Sequence, residues 1–174
     1  MSKSSPSNSP ARLRQLNVSY MASEDRMLFK VSTSDDLEYR LWCTRRFTRL
    51  LLEQLQGMFA EEATADVAVP AAAREDVTKL KHSQSITEAS FQQPYSAEPL
   101  EYPLGEQGLL MTTLRHKTLP DGAIALNLCG KENKGVTLNL DENLRHQLYE
   151  LFSRAAERAK WFEPAALVTR AVVH

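Results

Sequence analysis

The sequence predicts an α+β fold made of duplicated β-β-β-α units related by pseudo-two-fold symmetry, in which antiparallel meanders pack against two helices. Short runs of alternating apolar and polar residues, bounded by turn residues, indicate strands with one buried face. Two longer runs with apolar residues three and four apart indicate helices. The stretch from Met27 to Leu55 also matches the stretch from Ile124 to Phe152, which lies 97 positions further along, without a gap.

The first unit is predicted over residues 12–64. Its strands are expected near residues 16–20, 27–32 and 38–43 because apolar residues alternate there between turn signals. A helix should begin after Thr44, a good N-cap residue, and fray by about residue 64.

The second unit is predicted over residues 104–163. Leu114 is expected to correspond to Tyr20, and Asp141 to the N-cap residue Thr44. Strands are predicted at residues 123–129 and 136–140, with a helix from 142 to about 161. The glycines and lysines of residues 130–135 predict a hairpin turn, because their order does not fit a phosphate-binding loop.

Three further segments flank or join the units. Residues 1–11 are rich in serine and proline and are predicted to be a disordered lead, while residues 65–103 are predicted to be a long, partly disordered connection. The tail, 164–174, is expected to add an edge strand or to occupy a groove. Both units are expected to form one domain, joined as a six-stranded sheet or a barrel, because one meander with one helix buries too little.

Composition narrows the functional classes. Hydrophobic residues make up 43% and charged residues 25%, and the net charge is -1, which favours a globular protein over a general nucleic-acid coat. The N-terminal stretch lacks the apolar run of a secretory signal, and no run reaches the ~20 apolar residues of a bilayer span. These features and the two cysteines predict a cytoplasmic protein with no membrane partner.

The two units differ most in basic and aromatic residues. Three arginines open the first predicted helix, where its dipole disfavours positive charge, so an acidic partner would give them a role. A tryptophan on the preceding strand offers a flat apolar surface. The predicted partner-binding residues are Lys30, Arg40, Trp42, Arg45, Arg46 and Arg49.

An ordinary structural explanation competes with this one. Trp42 can pack beneath the long connection or the tail. The arginines can pair with nearby acids, which are Glu24, Asp25, Asp35, Asp36 and Glu38.

The search for catalytic or metal-binding motifs gives no positive result. The four histidines stand at no ligand spacing from one another or from a cysteine, so no metal or other cofactor is predicted. Cys43 shares the alternation of the apolar core, whereas Cys129 has outward parity and is the better, though weak, candidate for a reactive thiol.

The sequence therefore predicts a non-enzymatic protein–protein interaction or assembly module, a small bacterial adaptor subunit that binds another protein or a second copy of itself. One alternative is a single-stranded nucleic-acid-binding protein that uses the same basic and aromatic residues. The other is an enzyme of a type that the sequence does not reveal.

Overall fold

Two antiparallel meanders and two helices form the α+β fold, as predicted. This computed structural model describes residues 12–65, 71–73 and 101–162. The predictions for residues 1–11, for most of 65–103 and for 164–174 fall outside these ranges. The elements are β1 (Leu13–Met21), β2 (Arg26–Thr33), β3 (Glu38–Cys43), α1 (Arg45–Ala65), a short 3-10 turn (Ala71–Ala73), β4 (Leu109–Leu110), β5 (Thr113–Thr118), β6 (Ile124–Cys129), a second 3-10 turn (Lys131–Asn133), β7 (Gly135–Leu140) and α2 (Glu142–Arg158).

The first meander pairs β1 with β2 and β2 with β3. Phe29 lies opposite Leu41, and Met27 lies opposite Cys43. All four side chains are fully buried. Successive residues of a strand point to opposite faces. Arg40 and Trp42, which flank Leu41 in β3, therefore point away from this core.

The second meander pairs β5, β6 and β7 in the same manner. Leu126 lies opposite Leu138, and both are buried. Residues 130–134 join β6 to β7, and the Gly130 amide donates to the Lys134 carbonyl at 2.8 Å. The predicted hairpin turn is confirmed.

The two meanders do not merge into the predicted six-stranded sheet or barrel. The described strands form one sheet in the order β1-β2-β3-β4 and a second in the order β5-β6-β7. β4 lies parallel to β3, and the Met111 amide donates to the Trp42 carbonyl at 2.8 Å. The next amide, of Thr112, donates to the Cys129 carbonyl of β6 at 2.9 Å. The chain therefore passes from the first sheet to the second at residues 111–112.

Both predicted N-caps are in place. The Thr44 hydroxyl accepts a hydrogen bond from the Phe47 amide at 3.2 Å, and the Asp141 carboxylate accepts one from the Leu144 amide at 2.8 Å. α2 ends at Arg158, before the predicted residue 161, because Lys160 takes a positive φ of 54°.

The helices form an antiparallel pair. Gln56 of α1 donates to the Tyr149 hydroxyl of α2 at 2.7 Å. Phe59, three residues after Gln56, stacks on His146, which is three residues before Tyr149. α2 also packs on the first meander, where the Phe152 and Phe29 rings meet edge to face with centroids 5.2 Å apart. One hydrophobic core therefore contains residues of both halves.

The halves correspond more closely in some strands than in others. The Phe29–Leu41 pair and the Leu126–Leu138 pair occupy equivalent positions at the offset of 97. In the first strands, however, Leu16 lies opposite Val31 and Leu114 opposite Leu128, so Leu114 corresponds to Leu16 rather than to Tyr20. Duplication with pseudo-two-fold symmetry stays a prediction.

Candidate functional site

Arg40 lies beneath the segment of residues 101–108. Its Nε donates to the buried Glu38 carboxylate at 2.6 Å, and a terminal nitrogen donates to the Glu106 carbonyl at 2.7 Å. The guanidinium also lies 4.4 Å from the centroid of the Tyr102 ring. Arg40 therefore joins β3 to a segment more than sixty residues away in the chain.

Trp42 is held by the same segment. Its indole N–H donates to the Gln107 carbonyl at 2.8 Å, and the side chain is partly buried. Gly108 follows with a φ of +82°, and a Cβ atom there would lie 2.8 Å from the Arg40 carbonyl oxygen. Backbone this close to β3 requires glycine. The alternative explanation, that Trp42 packs beneath the connection, agrees with this geometry, although the covering segment extends into the predicted second unit.

Lys30 belongs to the same face of the sheet. It is paired with Arg40 across β2 and β3 and is partly buried. Lys30, Arg40 and Trp42 alternate with residues whose side chains are in the core, so they lie on the sheet face opposite that core.

Arg45 belongs to a different group of residues, near the end of α2. Its guanidinium donates to the Trp161 carbonyl. The Trp161 indole and the Tyr20 hydroxyl both donate to the Asp25 carboxylate, at 3.0 and 2.9 Å. These two hydrogen bonds, with a smaller contribution from the charge of Arg45, lower the pKa of Asp25. The Asp25 bond raises the pKa of Tyr20.

Arg46 and Arg49 lie beside a groove along the first turns of α1. The groove has a volume of about 560 Å³, and its floor includes the buried residues Phe47 and Met111. Leu50 is 40% exposed at the same groove. The other lining residues are Thr44, Glu53, Leu110 and Thr112.

A second groove, of about 350 Å³, runs between the helices and shares Arg49 and Glu53 with the first. The Arg49 guanidinium lies 5.3 Å from the centroid of the Phe162 ring, which also lines this groove. The six predicted residues thus fall into three groups. Three lie on the outer face of the sheet, Arg45 contacts the end of α2, and Arg46 and Arg49 lie beside the groove of α1.

The structure also brings together three residues that the sequence analysis did not select. Glu62, Glu142 and His146 place their ligand-type atoms within 4.8 Å of one another. Glu142 and His146 stand four residues apart on α2, a spacing that puts them on one helix face. That spacing was visible in the sequence, but the contribution of Glu62 from α1 was not.

Neither cysteine is exposed. Burial raises the pKa of the Cys43 thiol, in agreement with the core position predicted for it. Cys129 is 3% exposed, and its thiol donates to the Asn127 side chain at 2.9 Å. The outward position predicted for Cys129 does not make the residue exposed. Residues 109–112 pass over this end of β6 and cover it.

Comparisons with protein-family models, with curated proteins and with solved structures yield no match. Neither described helix combines the length and the hydropathy that a bilayer-spanning helix needs.

Proposed function

We propose that this chain is a non-enzymatic protein–protein interaction module, a small cytoplasmic adaptor subunit of bacterial type. Its partner is a protein segment that combines apolar side chains with acidic ones. Such a segment would bind the groove beside the first turns of α1, at Arg46, Arg49 and Leu50.

The observation that carries the proposal is the exposure of Leu50 beside two arginines. Leu50 is a large apolar side chain that is 40% exposed, on a groove whose floor is Phe47 and Met111. Arginine is enriched among the residues that dominate interface energies. The exposed apolar surface of Leu50 beside the arginines is surface that a partner would remove from water, which favours binding.

The charges along the groove favour one orientation of the bound segment. The first turn of α1 contains no acidic residue, whereas Glu53 lines the same groove further along the helix. Carboxylates of the partner would therefore lie toward Arg46, and its apolar or basic residues toward Glu53.

The sheet-face group has a different role in this proposal. Arg40 and Trp42 hold residues 101–108 against β3, and that contact supports β4 and the wall of the groove formed by Leu110 and Met111. The predicted partner-binding set is therefore narrowed in this proposal to Arg46 and Arg49. Lys30, Arg40 and Trp42 belong to the supporting sheet face, and Arg45 is bonded to the Trp161 carbonyl.

The scaffold in this proposal is a duplicated β-β-β-α unit with pseudo-two-fold symmetry. Its support is the equivalent pairing of β2 with β3 and of β6 with β7, and the two N-caps at equivalent positions. In the second half the helix opens with Glu142 rather than with arginines. In this proposal the binding groove belongs to the first copy.

Selection from a peptide-display library tests this function. The purified full chain should enrich peptides in which Asp or Glu stands near Leu, Ile or Phe. Arg46→Glu should weaken the enriched peptides about ten- to one-hundred-fold, because a hydrogen bond between charged groups contributes about 1.5–3 kcal/mol. Affinity would be measured by fluorescence anisotropy, and Leu50→Ser should weaken the same peptides.

Two matched controls separate this surface from general effects. Lys117→Glu makes the same charge reversal on exposed β5, and Met21→Ser removes another exposed large apolar side chain, which is 37% exposed. Both should leave peptide affinity unchanged. Absence of any enriched acidic peptide, or equal losses in the controls, would contradict the proposal.

Two other experimental results would indicate a different class of partner. Self-association measured by light scattering and abolished by Arg46→Glu would make the partner a second copy of this chain. Binding of single-stranded oligonucleotides that weakens steeply with salt would favour nucleic acid.

A further inference from the structure

Three side chains of metal-ligand type converge where the end of α1 meets the beginning of α2. Glu62 comes from α1, and Glu142 and His146 come from the first turns of α2. Their ligand-type oxygen and nitrogen atoms all lie within 4.8 Å of one another. The separation is small enough for one ion to contact all three after modest side-chain adjustment.

His146 is positioned by packing rather than left free on the surface. It is only 1% exposed, and its ring stacks on Phe59 with centroids 4.2 Å apart and planes 2° from parallel. A ring fixed in this way holds its nitrogens in one direction, which lowers the cost of ordering a ligand when a metal binds.

Arg145 orients one of the carboxylates. Its guanidinium donates to Oε1 of Glu62 and to the Leu140 carbonyl, the latter at 3.1 Å, and its side chain is only 4% exposed. Ligand carboxylates in metal sites are commonly hydrogen-bonded in this way by neighbouring groups. The positive charge of Arg145 offsets one of the two glutamate charges, which leaves the charge of Glu142 to attract a cation.

We propose that Glu62, Glu142 and His146 bind one divalent transition-metal ion of the zinc class. Imidazole together with carboxylates suits Zn²⁺, whereas Mg²⁺ prefers oxygen ligands alone in octahedral geometry. The ion would replace some of the present contacts of these side chains and would join the two helices. Three protein ligands leave a coordination position for water or for a ligand group from a partner.

Titration of the full chain with Zn²⁺ tests this proposal. Isothermal calorimetry should show one ion per chain, and the Tm should rise with Zn²⁺ concentration and stay unchanged with equal Mg²⁺, because a ligand of the folded state stabilises it. Co²⁺ should give visible absorption bands with the same stoichiometry.

Variants assign the ion to the cluster. His146→Gln and Glu142→Gln should each weaken Zn²⁺ binding by at least ten-fold, since even the loss of a group that only orients a ligand costs 10–100-fold in affinity. Glu142 is exposed, so its variant stays informative even if replacement of the buried His146 impairs folding.

Matched controls exclude binding elsewhere. His116→Ala removes an exposed histidine of β5, and Glu61→Gln makes the same charge change beside Glu62 in the chain. Both should bind Zn²⁺ with unchanged affinity. The proposal is overturned if Glu142→Gln keeps full affinity, if His116→Ala loses it, or if the wild-type chain binds no Zn²⁺ at micromolar concentration.

Discussion

Lys160 is the residue at which the backbone leaves the helical conformation of α2. Its φ is +54°, and two hydrogen bonds of 3.0 Å close the helix end: its own amide donates to the Glu157 carbonyl, and the Trp161 amide donates to the Ala156 carbonyl. This pair of bonds is the Schellman arrangement, which favours glycine at the left-handed position. A lysine there stores conformational strain.

Lys160→Gly should raise the free energy of unfolding by about 0.5–1 kcal/mol, because relief of the left-handed strain exceeds the added chain entropy of glycine. Arg154→Gly, inside the helix, should instead lower it by about 1 kcal/mol. Urea denaturation followed by circular dichroism measures both changes. Equal destabilisation by the two substitutions would contradict the role given to the helix end.

Strand alternation predicted the burial of one cysteine and not of the other. The inward parity of Cys43 follows from local alternation, and the residue is buried as predicted. The parity of Cys129 follows from the same rule, but residues 109–112 cover that end of β6. Strand periodicity describes only the two faces of a strand, so it could not reveal a cover supplied by another segment.

At the scale of elements, residues 101–111 act as an added edge for the first sheet. They form a parallel bridge between Glu101 and Leu37, and later pair β4 with β3. Arg40 and Trp42 hold the stretch between these points through the carbonyls of Glu106 and Gln107. Arg40 and Trp42, two of the predicted partner-binding residues, thus donate hydrogen bonds to the protein's own chain.

Trp42→Phe should loosen this edge without unfolding the core. It removes the indole hydrogen bond to Gln107, worth about 1 kcal/mol, and keeps most of the apolar surface. Hydrogen exchange at the Glu101 and Met111 amides should accelerate about five-fold, while exchange at Phe29 stays unchanged.

Trp161→Phe is the matched control, since it removes an indole hydrogen bond to Asp25 instead. It should leave exchange at Glu101 and Met111 as in the wild type. Unchanged exchange at these amides in Trp42→Phe would show that the indole does not hold the segment.

Elements with strong local signals were predictable. The bounds predicted for β3 agree with Glu38–Cys43, because turn residues and alternation mark both of its ends. Leu110 was predicted to share the first strand of the second unit with Leu114, and β4 was not predicted as a separate strand of the first sheet. A two-residue parallel pairing has no sequence pattern of its own. The predicted match of β5 to β1 was wrong by four residues. Side chains alternate with a period of two, so the apolar pattern stays the same when a strand shifts by an even number of residues.

For the whole molecule, Phe152 is a residue that joins the two halves. It is fully buried and meets Phe29 of the first meander edge to face. The helix of the second half therefore completes the core of the first half. A core divided in this way favours unfolding of both halves in one transition.

Phe152→Ala should lower the free energy of unfolding by about 3–5 kcal/mol, because it removes a buried ring and leaves a cavity. Amide exchange should report equal losses of stability in β2 and β6. Leu151→Ala, at a partly buried neighbour, should cost less. Loss of protection in the second half alone would show that the halves unfold separately.

At this scale the class of fold followed from the sequence, whereas the residues that complete each candidate site from other elements did not. The order of strands and helices is a sum of local patterns, each readable by itself. The groove beside α1 needs Leu110 and Met111, and the metal-type cluster needs Glu62 next to His146. Such pairings over more than fifty residues depend on how helices and sheets pack, which periodicity does not specify.

The hydrogen bond between Trp42 and Gln107 spans 65 residues, which has a consequence during translation. Ribosomes add about 5–20 residues per second, so the first meander is complete for roughly 3–13 s before its covering segment is synthesised. In that interval the nascent chain presents an open strand beside an uncovered indole, the kind of edge on which neighbouring polypeptides aggregate.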